Sequence, residues 1–298
     1  MNSLTWQQRA AIEILAVTAP RLLAVQLVKP RAPHIAPVPP TADGARVAPI
    51  AFPTADNAAC RGWLVAPQHG APDSCIVLAH GWNSNALRLA AWVQPLLHQG
   101  HSVLLYHARG HGDSDPTPVC TLRQFAEDLD AAVLFAASTA PRVAALGHSL
   151  GAAAAILTAA GARSEGRPQA RSSLKATVAI AAPAHPVPAT LDLLRSQGLP
   201  AEAILRRAGA HVEALMGCSF DDIAPVNHVH AVKAPVLIIH GTADPVVPPA
   251  HFYRLSEAAS PAIETRVIPG ADHESVLSSL ETRAAVFEFL ARHFPALP

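Results

Sequence analysis

Charge is scarce in this chain. Only 15% of its 298 residues are charged, and 22 basic side chains cancel 22 acidic ones. That balance lacks the basic excess a nucleic-acid surface needs, and no acidic tail is present. Cysteine is scarce too. Cys60, Cys75, Cys120 and Cys218 stand apart with no C-x-x-C pair. A chain this long needs no disulfide staple, so reduced thiols are expected. The 16 histidines form no H-E-x-x-H, and the isolated His228 and His230 are not read as a metal site, so no metal is expected. No G-x-G-x-x-G follows a strand, which argues against a dinucleotide-dependent oxidoreductase. No internal repeat is found. Long unbroken apolar runs are also missing. The most apolar early stretch, 10–28, holds Glu13, Pro20, Arg21 and Gln26. A charge at the centre of a membrane helix costs about 2.5–3.5 kcal/mol, and a secretory signal wants a basic start and an uninterrupted apolar centre. A cytoplasmic location is the expectation, with membrane-associated or exported as the alternative.

Half of the residues are hydrophobic, enough for one large core. The apolar start divides into two short amphipathic helices, one ending near Thr18 and one beginning at Pro20 in its first turn. Docking onto the domain or onto a membrane surface is open for residues 1–28. Five prolines between Lys29 and Pro40 make a linker or strap. Beyond it, Val47 to Thr54 and Cys60 to Val65 read as a hairpin. Ser74 to Ala79, Ser102 to Tyr106, Val143 to Leu146, Ala176 to Ala182, Pro235 to His240 and Glu264 to Ile268 read as further strands, most apolar on both faces. Predicted helices fall at about 85–99, 121–137, 152–158, 200–215, 248–259 and 274–293. This alternation predicts an α/β fold with a mostly parallel sheet and helices on both faces.

Gly147-His148-Ser149-Leu150-Gly151 lies between an apolar strand and alanine-rich helical sequence. Strand, tight turn, helix is the setting of a nucleophile elbow. A serine hydroxyl needs a base to take its proton and a third group to orient that base. Asp244 and His273 each follow a strand, in the order Ser149, Asp244, His273 that this architecture uses. Asp272 is a rival acid, but it adjoins His273 in the chain, where a carboxylate seldom reaches the ring. Asp221 and Asp222 are weaker rivals, away from a strand end. An oxyanion requires two fixed N–H donors. The amides of Leu150 and Trp82 are assigned, with His80 bracing the loop that carries Trp82.

The motifs HGWNSN, YHARGHGDS, GHSLG, HGTADPVVP and GADH together resemble the α/β-hydrolase superfamily, in particular its bacterial esterase and serine-aminopeptidase-like branch. The resemblance runs from about Val47 to the C-terminus. One departure is His107, where relatives often carry aspartate, in a loop that is structural in the family; Arg109 is read there as a brace. The resemblance implies a domain at 41–298 with a short helical cap at about 184–234, separate from a segment at 1–40. Trp82, His148, Leu205 and Leu215 are expected against the substrate. The implied activity is cleavage of carboxylic esters of short to medium acyl chain through an acyl-enzyme, on a small-molecule substrate, with no cofactor and no nucleic acid. A peptidase of aminopeptidase type, a thioesterase or a lactonase would use the same machinery. A non-catalytic binding protein on the fold is a further reading, which the complete triad disfavours.

Overall fold

The computed structural model describes residues 4–31, 39–68, 73–162, 168–261 and 263–296. The middle of the proline strap, 32–38, therefore lies outside the described residues. The chain opens with two helices, α1 (Trp6–Thr18) and α2 (Pro20–Val28). They part at Ala19, as the proline at position 20 predicts. A capping box starts α1: the Thr5 hydroxyl takes the Gln8 amide and the Gln8 side chain takes the Thr5 amide.

The hairpin β1 (Ala45–Pro53) and β2 (Ala59–Pro67) follows, then β3 (Ser74–Ala79). The helix expected at 85–99 is a 3-10 segment, Ala86–Trp92, continued by the short α3 (Val93–His98). Next come β4 (Ser102–His107), α4 (Leu122–Ala137), β5 (Arg142–His148), α5 (Leu150–Ala160), α6 (Pro168–Ser173) and β6 (Leu174–Ile180). Between β6 and β7 (Val236–Gly241) lies the stretch expected to form a cap, with α7 (Pro186–Ser196), α8 (Ala201–Met216) and α9 (Pro225–His228). The chain closes with α10 (Ala250–Ala258), β8 (Ile263–Ile268), α11 (Ser275–Ser278) and α12 (Leu280–His293). One closing helix was expected at 274–293. Ser279, in extended backbone, breaks it and caps α12 by accepting the Thr282 amide.

The strands form one eight-stranded sheet in the order β1-β2-β4-β3-β5-β6-β7-β8. The first two pairings are antiparallel and the rest parallel. Alternate residues feed two cores. Cys75, Val77, Leu104, Val143, Ala145, Val236 and Ile238 face one core; Ile76, Leu78, Val103, Leu105, Ala144, Leu146, Leu237 and Ile239 face the other. Helices α4, α5 and α10 cover the first face. The 3-10 segment, α3 and α12 cover the second, with Trp92, Phe289 and Phe294 fully buried.

The N-terminal segment is not a separate unit. Helix α2 lies along α8, and α1 contacts both. Leu23 and Ala24 are buried in the same core cluster as Ile204, Ala208 and Val212. The expected boundary at residue 40 thus divides in sequence what the fold joins. The reason lies in α2, whose Leu23, Ala24 and Val28 share a stripe that needs a partner. Trp6, Ile14 and Val17 of α1 stay largely exposed. No helix among the described residues is long and apolar enough to cross a membrane.

Candidate active site

Ser149 ends β5 and precedes α5. Its φ of 56° and ψ of −121° lie in a region that L-residues avoid. The flanking glycines make the turn possible. A Cβ on Gly147 would lie 2.3 Å from the Gly151 carbonyl oxygen, and one on Gly151 would lie 2.2 Å from that of Ala79. The Ser149 amide donates to the Ile180 carbonyl at 2.9 Å, tying the turn to β6. Leu150 is the first residue of α5, where first-turn amides lack helical acceptors and the helix dipole favours negative charge.

Asp244 lies beyond β7 and His273 beyond β8. Nδ1 of His273 donates to Oδ2 of Asp244 at 2.7 Å. The other oxygen, Oδ1, accepts the amides of Val246 and Val247, both at 2.9 Å. Burial alone would raise the Asp244 pKa. The bond from His273 and the two amides outweigh it, and the net shift is downward. Asp244 is therefore a fixed carboxylate, and its bond selects the tautomer of the neutral His273 ring in which Nδ1 carries the proton. His240, on β7, borders the same carboxylate at 3.5 Å and donates from Nε2 to the Val247 carbonyl.

The rival acids are engaged elsewhere. Asp272 is exposed, and Oδ1 accepts the amides of Glu274 and Ser275 and the Ser275 hydroxyl, which makes it a turn cap. The Asp221 carboxylate meets His185 at 2.8 Å, and that of Asp222 accepts the Ser219 amide.

The loop after β3 passes over Ser149. A Cβ on Gly81 would sit 3.0 Å from Ser149 Cβ and 3.5 Å from its Oγ. His80 is 1% exposed and bridges two loops. Its Nδ1 donates to the Gly81 carbonyl at 2.8 Å, and its Nε2 accepts the Ala108 amide at 3.0 Å. The Gly81 carbonyl and the Trp82 N–H belong to one planar trans peptide, so the bond that pins the oxygen also aims the N–H the opposite way. His80 is thus the brace expected of it. His107 plays a related part, accepting the Ala86 amide at Nδ1 with Asp113 3.6 Å from Nε2. Arg109 is 3% exposed and bonds Asp128 and Asp56, a brace as expected. Burial lowers the pKa of His80 well below the ordinary value and that of His107 to about 4, so both rings are neutral and able to accept.

The residues expected against the substrate fall in different places. Trp82 is half-buried, with its ring turned onto His111 and Phe125. His148 is only 3% exposed. Its Nε2 donates to the His273 carbonyl at 2.9 Å and its ring lies 4.7 Å from that of His273. Burial, followed by the neighbouring His273, holds it down to about 3. His148 therefore supports the loop of His273 and does not present its ring to a ligand. Leu215 is 38% exposed although it shares the face of Ile204, Ala208 and Val212, because it sits in the last turn of α8. Leu205 is half-buried, beside Gly209.

Sequence reasoning missed three features. Asn83 holds a left-handed φ of 50° beside Trp82. His111 accepts the Asn83 amide at Nε2, 3.1 Å away. Arg88 forms an ion pair with Glu274, next to His273. His111 stands inside the YHARGHGDS stretch and Asn83 inside HGWNSN, so a signal was present for both; nothing in the chain marks the pairing of Arg88 with Glu274. No group of metal-ligating side chains occurs among the described residues.

Solved structures resemble the chain in fold. An esterase of Pyrococcus furiosus, Pf2001, has 21% identity and a TM-score of 0.69, covering 89% of this chain and 98% of that one. An acetyl xylan esterase from Paenibacillus sp. R4 has 16% identity and a TM-score of 0.64, covering 96% and 93%. An alpha/beta hydrolase from Penicillium sp. sh18 has 18% identity and a TM-score of 0.63, covering 83% and 99%. No curated protein matches the chain. The model of the alpha/beta hydrolase family matches residues 76–289, which span Ser149, Asp244 and His273. The chain belongs to the alpha/beta hydrolase family.

Proposed function

We propose that this protein is a serine hydrolase that cleaves carboxylic esters through an acyl-enzyme. The observation that carries the reading is the strained φ of 56° at Ser149, at the head of α5, in a fold that also joins His273 to the buried Asp244 at 2.7 Å. A strained serine on a packed turn is costly unless its exposure is used. In the proposed reaction, Nε2 of His273 takes the Ser149 proton as Oγ bonds the ester carbonyl carbon. The carbonyl oxygen becomes an oxyanion held by the amides of Leu150 and Trp82. The C–O bond to the alcohol then breaks, and His273 returns its proton to the leaving oxygen. Water, deprotonated by His273, attacks the acyl-serine, and the acid leaves as Ser149 regains its proton. This chain's residues supply every proton transfer in that scheme.

Short to medium acyl chains fit the half-buried leucines of the cap, Leu191, Leu193 and Leu205. Each methylene buried there is worth roughly 0.8 kcal/mol. The test is kcat/KM for p-nitrophenyl esters of rising acyl length, beside alanine and proline p-nitroanilides. Ester rates that climb to a chain-length optimum are expected. Faster cleavage of an anilide with a free amine than of any ester would replace this reading with a peptidase.

A further inference from the structure

The peptide assigned as oxyanion donor has neighbours on a segment distant in sequence. Asn83 follows Trp82 and has a left-handed backbone, φ 50°. Two long-range hydrogen bonds hold it. Its amide donates to Nε2 of His111 at 3.1 Å, and its side-chain oxygen accepts the Arg31 amide at 2.8 Å. His111 can accept because its other nitrogen, Nδ1, donates to the Arg109 carbonyl at 2.9 Å. The two bonds pull on both the backbone and the side chain of one residue, so they fix the φ and ψ through which the chain leaves Trp82.

Arg31 is itself held in place. Three residues earlier, the Val28 carbonyl accepts the Cys120 amide at 2.9 Å. Pro30 lies against Gly110, where a Cβ would come within 2.6 Å of its ring. Gly110 has φ 72°, so the loop bends to admit the strap at that point. Helix α2 anchors the other end through Leu23 and Ala24. Arg31 therefore meets Asn83 from a stretch anchored at Val28 and Pro30, with its amide donating to the Asn83 side chain.

We propose that Asn83 is a positioning residue for the Trp82 amide, and that the N-terminal segment, through the Arg31 amide, is a working part of the catalytic centre. Neither residue touches the reacting atoms. They hold the loop that crosses Ser149 in the one shape that aims the donor. The inference rests on the serine-hydrolase reading above.

The test compares Asn83→Gly, Asn83→Ala and Asn83→Asp in the full-length chain, with Arg31→Pro as an independent removal of the amide. Asn83→Gly keeps the left-handed backbone and loses the acceptor, so kcat should fall about fivefold, the equivalent of one ordinary hydrogen bond, with KM unchanged. Asn83→Ala adds backbone strain and should fall further. Asn83→Asp keeps both features and should stay close to wild type. Arg31→Pro should match Asn83→Gly, while Arg31→Ala, which keeps the amide, should fall less. Thermal midpoints show which variants fold. Wild-type kcat in both Asn83→Gly and Arg31→Pro would overturn the proposal, as would a rise in KM alone, since that would mark a substrate contact. If the wild-type protein fails to hydrolyse esters and to react with a fluorophosphonate at Ser149, the hydrolase reading falls first; if it does both and the Asn83 variants equal it, only the positioning role falls.

Discussion

His148 lies beneath His273. Its ring is 4.7 Å from that of His273, and its Nε2 donates to the His273 carbonyl at 2.9 Å. The residue just before Ser149 thus holds the loop that carries His273, so the proposed nucleophile and the proposed base share one support. Replacing it should change rate more than affinity. His148→Ala is expected to lower kcat about five- to tenfold, the scale of one hydrogen bond plus lost packing, with KM near wild type. A raised KM at unchanged kcat would return His148 to the substrate surface.

The choice of acid is checked by two amides. Asp244→Asn should cost about 10⁴ in kcat, because a side-chain amide can favour the wrong imidazole tautomer. Asp272→Asn should be mild, since that carboxylate only caps its own turn. Steady-state kinetics of both purified variants decide it. A dead Asp272→Asn beside a nearly normal Asp244→Asn would reverse the assignment.

The N-terminal helices should matter for stability. Leu23 is 1% exposed and Leu22 is 50% exposed. Leu23→Ala is expected to cost about 2–5 kcal/mol, and Leu22→Ala about 0.5 kcal/mol or less, by urea unfolding. Equal, small effects would mean that α2 does not belong to the core.

Acid should loosen the braces of the loops at 80–83 and 107–111. His80, His107 and His111 each accept a backbone amide, and burial lowers the pKa of all three. Asp113 works the other way on His107 and is outweighed. In the unfolded chain a histidine titrates near 6.5. The unfolded state therefore takes up protons first, so this stability is complete above about pH 6.5 and declines as pH falls towards about 4, where folded His107 titrates. Urea midpoints from pH 8 to 4.5 should follow that course. His107→Asn, which keeps an acceptor, should flatten the decline. An unchanged slope in that variant would show that His107 does not contribute to it.

Much of the fold was legible because its strands are apolar on both faces and its breaks carry proline or glycine. Ala19 and Pro20 divided α1 from α2, and Gly147 and Gly151 marked the elbow. The pairing of Asp244 with His273 was readable from order and strand ends. What escaped depended on distant contacts. Leu215 lies on the apolar side of α8 as its spacing suggests, yet it falls in the last turn and is 38% exposed. His148 looks like a pocket residue because it adjoins Ser149, but the loop after β8 covers it. The docking of α2 on α8, and of Arg31 on Asn83, joins positions whose separation in the chain leaves no periodic trace. Asn83 stands in the HGWNSN motif, but its left-handed φ and its bonds to His111 and Arg31 appear only in the fold.

The central claim is that Ser149 is the nucleophile of an ester hydrolase. The most direct measurement is labelling with a fluorophosphonate, with the modified peptide located by mass spectrometry, on wild type, Ser149→Ala and His273→Ala. The account predicts one adduct, on Ser149, together with ester hydrolysis in wild type. It predicts no adduct and almost no hydrolysis in Ser149→Ala, and strongly slowed labelling in His273→Ala. An adduct on another serine, or a Ser149→Ala protein that still turns over esters at the wild-type rate, would contradict it.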